Sequence, residues 1–441
     1  MYFSKHNIFS KIKDSDNFFI VNSLTGNADI LTPEDAQRVM EIKTEGIFPD
    51  NGLTTELKEK GYLVDEAEER KLFRRKYLDF LDSRDADEIQ LFFVPNYSCN
   101  FACSYCYQDE YAPSKGQLTN EIIDSFFIYI TKEFAGKRKY ITVFGGEPLM
   151  NSPHQKETIS YLIQKATEAG LEVCFVTNGY TLVEYIDILQ QGLIREIQIT
   201  MDGTASIHNA RRFLKGGGGT FDKIVEGVDA CLGNNLTVNL RMVIDRENIE
   251  NLSDLAQFAI DKNWTSSAYF KTQLGRNYEL HHCQSAVDKL YTRISMYEKL
   301  YELTKIHPHI LEFYKPAYSI SKFLAENGSM PDPLFDSCPA CKTEWAFDYT
   351  GKIYPCTATV GKSDEELGTF YPEITLSQDL VDMWEMRDVT SIAECKECSM
   401  QLACGGGCGS VAKNTHGTIC STDCRPVKEL LELGFGAYFK E

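Results

Sequence analysis

The stretch CNFACSYC, Cys99 to Cys106, sets three thiols at C-x3-C-x2-C directly after an apolar run, IQLFFVPN (Ile89 to Asn96), that reads as a buried strand. A tetrahedral metal takes four ligands, and this loop offers three. The loop is either half of a zinc site completed elsewhere, or the holder of a 4Fe-4S cluster with one iron left for a small molecule to chelate. The pattern around it has to separate the two.

Downstream, short apolar runs alternate with longer amphipathic ones, as in a βα repeat. The strand candidates after the first are YITVFGGEP (Tyr140 to Pro148), EVCFVTNG (Glu172 to Gly179), EIQITMDG (Glu196 to Gly203), TVNLRMVID (Thr237 to Asp245) and SAYFKTQ (Ser267 to Gln273), with helical stretches such as TNEIIDSFFIYITKEF between them. A closed barrel of this kind has eight units in about 250 residues, so about six units predict an open, partial (β/α)6 barrel. We place it at residues 86–305. Several strands end in polar or glycine-rich turns, PNYSC, GGEP, TNG and MDG, the edge where such barrels hold their chemistry. In GGEP the two glycines let backbone approach a ligand, and Glu147 can accept from an ammonium.

The chain has 441 residues, 43% of them hydrophobic, enough for two or three domains. Its net charge of -19 disfavours nucleic acid, which is bound with Lys and Arg. The basic run KLFRRKY (Lys71 to Tyr77) reads as a solvated helix face. Neither a signal peptide nor a membrane-length apolar window is evident, so a cytoplasmic protein with no membrane partner is expected. Fifteen cysteines in such a chain point to metal or redox chemistry. Three lie in the opening stretch and nine between Cys338 and Cys424, while Cys174, Cys231 and Cys283 read as small buried hydrophobes.

The flanks have other textures. In residues 1–85, FFIVNSLTGNADIL looks like a hairpin turning at Thr25 to Asn27, TPEDAQRVMEI starts a helix capped by Thr32, and TTELKEKGYLV gives another ending at Gly61. This is a winged-helix-like module. Residues 306–334 are expected to be a linker, and 335–441 a cysteine-rich domain whose ligands replace a core.

With these motifs together, the chain resembles the radical S-adenosylmethionine (SAM) enzymes, whose signature is C-x3-C-x2-C with an aromatic, here Tyr105, before the third cysteine. The resemblance implies that Cys99, Cys103 and Cys106 hold a 4Fe-4S cluster and that SAM chelates its fourth iron, so the missing ligand is the cofactor site. It assigns Gly145, Gly146 and Glu147 to the methionine amino group, and Asn178, Thr200 and Asp202 to strand ends lining the pocket. Arg212, in HNARRF, would pair with the carboxylate, a bidentate task suited to guanidinium. Met242 or Val243 would flank the adenine. A low-potential cluster can cleave a sulfonium reductively, and the protein then supplies orientation.

The C-terminal cysteines resemble a SPASM domain, which carries two auxiliary 4Fe-4S clusters, three clusters in all. The resemblance assigns Cys338, Cys341, Cys356 and Cys408 to the first and Cys395, Cys398, Cys404 and Cys424 to the second, with Cys420 as the alternative to Cys424; a pair of zinc knuckles is the competing reading. The first module resembles the PqqD-like elements that bind a precursor's leader as an added strand. Anaerobic sulfatase-maturing enzymes put an aspartate base where this chain has Thr357, a poor base. The implied function is a maturase that abstracts hydrogen from a residue of a ribosomally made precursor peptide and closes a cysteine thioether. Carbon-carbon crosslinking and formylglycine formation are the alternatives, and the implied electron donor is a flavodoxin or ferredoxin.

Overall fold

A computed structural model describes residues 1–49, 51–106, 116–277 and 287–439, so Cys283 lies outside the described residues. The first module runs β1 (Tyr2–Phe3), β2 (Asn7–Lys11), β3 (Phe18–Asn22), β4 (Asn27–Leu31), α1 (Pro33–Glu45), α2 (Gly52–Glu59), β5 (Leu63–Val64) and α3 (Glu66–Ala86). β2, β3 and β4 form an antiparallel sheet in that order, and β1 pairs with β5. Thr32 caps α1 by accepting from the Asp35 amide, and Gly61, at φ 73°, turns the chain out of α2. β3 is buried on both faces: Ile20 packs with Val39 and Tyr62, and Phe19 and Val21 pack with Val427 and Phe435 of the C-terminal helix. Along α3 the charges of KLFRRKY point outward, while Leu72, Phe73 and Tyr77 pack around Phe335. The first module therefore sits on the C-terminal region.

The barrel follows with β6 (Ile89–Val94), α4 (Asn120–Glu133), β7 (Lys139–Val143), α5 (Pro153–Glu168), β8 (Val173–Thr177), α6 (Ile186–Leu189), β9 (Ile194–Thr200), α7 (Ala205–Arg211), α8 (Phe221–Gly233), β10 (Val238–Ile244), α9 (Leu252–Asp261) and β11 (Phe270–Arg276). The six strands are parallel and stand in chain order, an open, partial α/β barrel as expected. The last strand starts three residues later than Ser267, because Ser267 closes a turn on the Phe270 amide before pairing with β10 begins. On β10 the side chains at 238, 240, 242 and 244 are buried and those at 239, 241 and 243 are half-buried, the period of two that separates the helix-packed face from the inner one.

Residues 306–334, expected as a linker, are packed structure. After α10 (Arg293–Ile306) come α11 (Ile310–Phe313), with Ile310 and Phe313 in the barrel's core, and α12 (Ser321–Asn327), packed on the last helix. The remainder is β12 (Glu344–Asp348), β13 (Lys352–Tyr354), β14 (Gly368–Thr369), β15 (Thr375–Leu376), α13 (Gln378–Glu385), α14 (Gln401–Cys404), α15 (Gly409–His416) and α16 (Val427–Tyr438). β12 pairs parallel to β6, and β13 to β15 extend it into one ten-stranded sheet. A boundary at residue 335 thus falls between strands that share a ladder. Among the described residues, no helix is long and apolar enough to cross a membrane.

Candidate active site

The loop after β6 is fastened on both sides. The Gly146 amide donates to the Asn96 carbonyl and the Glu147 amide to the Ser98 carbonyl; opposite, Ala102 and Ser104 donate to the carbonyls of Phe213 and Arg211 at the end of α7. A Cβ on Gly146 would lie 2.0 Å from the Ser98 oxygen, and Gly145 has φ 137°, so the pair of glycines is what lets the cysteine loop lie against the end of β7. Cys99, Cys103 and Cys106 then line a cavity of about 680 Å³ inside the open barrel. Gly145, Gly146, Asn178, Thr200, Arg212 and Val243 line it too, as does Tyr105.

Two carboxylates expected at the cofactor are committed elsewhere. Glu147 is fully buried and accepts from the Leu149 amide (2.8 Å), the Thr177 hydroxyl (2.6 Å) and the Asn178 amide (2.6 Å). It does not line the cavity, and these bonds clamp the end of β7 to β8. Burial pushes its carboxyl above the usual range against those three donors. Asp202, likewise fully buried, accepts from the Val243 amide (3.0 Å) and Arg211 Nε (3.3 Å). It holds β10 and α7 in position. His208 joins this network through the Asp202 amide and the Thr220 hydroxyl, and burial beside two arginines lowers it to about 3, which keeps the ring neutral. Of the pair on β10, Met242 faces the core and Val243 the cavity.

Arg212 ends α7 with one terminal nitrogen 2.8 Å from the Tyr105 hydroxyl. Its Nε is buried without a protein hydrogen-bond partner at the cavity wall. An unpaired cationic donor there fits a carboxylate, and three thiols sharing a rim fit a cluster short of one ligand. The residues present therefore fit SAM and a 4Fe-4S cluster.

The C-terminal cysteines gather in two groups. Cys356 feels the charges of Cys338 and Cys408, and Cys341 that of Cys338. Cys395 feels Cys404, Cys398 and Cys424. Cys420 and Cys424 are both exposed, and of the two only Cys424 lies close enough to Cys395 to act on it. Among the described residues no three His, Cys, Asp or Glu side chains converge as a single metal ion requires.

Other residues around these sites gave no sequence signal. Arg387, 1% exposed, donates to the carbonyls of Gly406, Gly407, Ile419 and Ser421, stitching together the loops that carry Cys404, Cys408 and Cys424. Glu344 accepts from the Thr357 amide at 2.6 Å, and burial raises its carboxyl. Cys174, expected in the core, lines the cavity, while Cys231 is fully buried. Arg241 on β10 enters the cavity among strands that read only as apolar runs. A charged residue at an inward strand position was the available clue.

Residues 93–259 match the model of the Radical SAM superfamily. The GTP 3',8-cyclase of Rhizobium etli (strain CIAT 652) is 32% identical over 169 residues, 36% of this chain and 45% of that protein; the chain thus spans about half the length of such curated relatives. The serine-type anaerobic sulfatase-maturating enzyme of Bacteroides thetaiotaomicron is 23% identical over 380 residues, 78% of this chain and 86% of the enzyme. Among solved structures, native anSMEcpe with bound AdoMet and Cp18Cys peptide superposes with TM-score 0.62 at 18% identity, covering 80% of this chain and 98% of that one. Streptococcus suis SuiB bound to precursor peptide SuiA superposes with TM-score 0.55 at 14% identity, covering 96% of this chain and 98% of that one. These likenesses concern the fold.

Proposed function

We propose that this chain is a radical SAM maturase that joins a cysteine of a ribosomally made precursor peptide to a carbon of the same peptide as a thioether. The observation that carries the reading is the union, in one chain, of a three-thiol cavity rim with two further groups of four cysteines and a first module whose β4 is an edge strand. When bound, SAM and its cluster supply a 5'-deoxyadenosyl radical. Cys99, Cys103 and Cys106 would hold that cluster, Arg212 the carboxylate of SAM, and the glycine pair at 145 and 146 would bring backbone to its amino group. Residues 1–85 would recruit the leader along β4, since the other edge, β2, packs against α16.

The reaction balances as follows. One C–H and one S–H bond break and one C–S bond forms; one hydrogen atom goes to the 5'-deoxyadenosyl radical, and one proton and one electron leave. An electron acceptor is required, and the two C-terminal cysteine groups are where this chain could hold one as 4Fe-4S clusters. A flavodoxin or ferredoxin would provide the initiating electron.

Oxidation of a serine to formylglycine is the second reading, favoured by the sulfatase-maturating relative and by Glu344. Thr357 stands at the cavity without a carboxylate, but that of Glu344 lies directly behind it. The two readings separate on one product. Anaerobically reconstituted enzyme, SAM, a reductant and a cysteine-containing precursor, sought among the small open reading frames beside the gene, should give a peptide lighter by two hydrogens and poorer by one titratable thiol. A product of the same mass with all its thiols and a hydrazine-reactive aldehyde would overturn the thioether reading.

A further inference from the structure

The chain is acidic overall, yet its cavity is not. Five cationic side chains, Arg195, Arg212, Arg241, Lys271 and Arg276, line it against one carboxylate, Glu196. Most are spoken for. Arg195 pairs with Glu88 and Glu172, Lys271 with Glu196, Arg276 donates to the Tyr291 carbonyl, and Arg212 belongs to the cofactor. Arg241 differs: its Nε is buried without a protein hydrogen-bond partner, and no described carboxylate pairs with it.

Its position is set by the sheet. Arg241 stands opposite Thr200 on β9 and Gln273 on β11, and its guanidinium leans over Gly275 toward the edge where the strands end. A Cβ at 275 would come within 2.7 Å of one terminal nitrogen and 2.9 Å of Nε, so the guanidinium lies in space that only glycine leaves open. This is the β10–β11 side of the cavity, across the sheet from the cysteine loop that follows β6. A guanidinium with its Nε buried and no counter-ion among the described residues suits an anion with paired oxygens.

We infer that Arg241 anchors a carboxylate of the substrate, so that the residue processed in this cavity is acidic or adjoins an acidic group. The inference rests on the maturase reading and names the chemistry of what it admits. A single unpaired guanidinium matches one carboxylate. A polyphosphate would call for several such donors, and Arg195 and Lys271 are already neutralised.

The test is calorimetric titration of the reconstituted full chain with SAM present. The probes are Nα-acetylglutamate N-methylamide for a side-chain carboxylate, Nα-acetylalanine for a chain terminus, Nα-acetylglutamine N-methylamide as the neutral match, and inorganic pyrophosphate. At least one acid should bind tenfold or more tightly than the amide, and whichever does identifies the carboxylate's source. Arg241→Gln should abolish that tenfold preference, Arg241→Lys should retain part of it, and Gly275→Ala, which displaces only the far end of a flexible side chain, should weaken acid binding severalfold. Equal binding of acid and amide, tighter binding of pyrophosphate than of either acid, or a tenfold loss of SAM affinity in Arg241→Gln with acid binding intact would each overturn the assignment. An enzyme that binds the acids but does not cleave SAM would break the maturase reading and leave the anion site standing.

Discussion

The two cysteine regions solve the same problem in opposite ways. At the barrel mouth three ligands lie within eight residues, on a loop pinned to β7 by two backbone hydrogen bonds and a glycine pair. Their geometry is imposed by a sheet and a large core that form without metal. In the C-terminal region the ligands spread from Cys338 to Cys424, the helices between them are short, and the loops meet around the side chain of Arg387. There the core is divided among smaller clusters, such as Phe335 with Val389, Ile392 and Leu402, so if the cysteines hold clusters their loading should contribute to folding. The barrel should tolerate the loss of its cluster, and the C-terminal region should not tolerate the loss of either of its own.

The largest test of that contrast changes Cys99, Cys103 and Cys106 together to Ala. About four irons should be lost, 5'-deoxyadenosine formation should cease, and the thermal unfolding of the barrel should barely move. Unchanged SAM cleavage, measured by chromatography, would sink the ligand assignment. Next, Arg387→Leu leaves four buried carbonyls without their donor, at a cost on the order of 3–5 kcal/mol. Denaturant unfolding and iron analysis should show the auxiliary iron lost first while the barrel iron stays. A smaller, sharper effect separates Cys424 from Cys420. Cys424→Ala should lower the iron content by destabilising one cluster, and Cys420→Ala should keep full iron. The reverse pattern in Mössbauer spectra would exchange their roles.

The smallest effect lies where the first module meets the C-terminal region. His6, 1% exposed and stacked on Phe73, has both ring nitrogens buried without protein partners, and burial lowers it to about 4. Burial raises Glu69, which lines the same small cavity, to about 7, with Lys5, Arg70, Arg74 and Lys396 around them. Between about pH 4.5 and 6.5 the unfolded chain gains a proton at residue 6 while the folded chain holds one at residue 69, so the two effects on stability oppose each other. His6→Phe removes the first and keeps the stack. That variant should lose stability as pH rises from about 4.5 to 7, while wild type changes little over pH 4.5 to 6.5. A flat pH profile for the variant would show that Glu69 stays ionised.

The sequence by itself carried the strands of the barrel and the cysteine loop that follows the first of them, because each is a local signal: a period of two and a fixed spacing. It also marked Thr32 and Gly61 as the ends of helices, since caps are chosen by neighbours within four residues. It did not carry the pairing of β12 with β6, which joins residues about 250 apart in the chain and leaves TEWAFD reading as spacer between cysteines. Nor could it tell which charges face the cavity. GGEP and MDG put Glu147 and Asp202 at strand ends, but the amides of Asn178 and Val243, brought there by neighbouring strands, bind their oxygens. Arg241, inside an apolar run, kept its guanidinium for the cavity because β11 offers it a glycine. Spacing along the chain decides which residues share a loop. Only the register between strands decides which polar groups satisfy one another and which remain unpaired for a ligand.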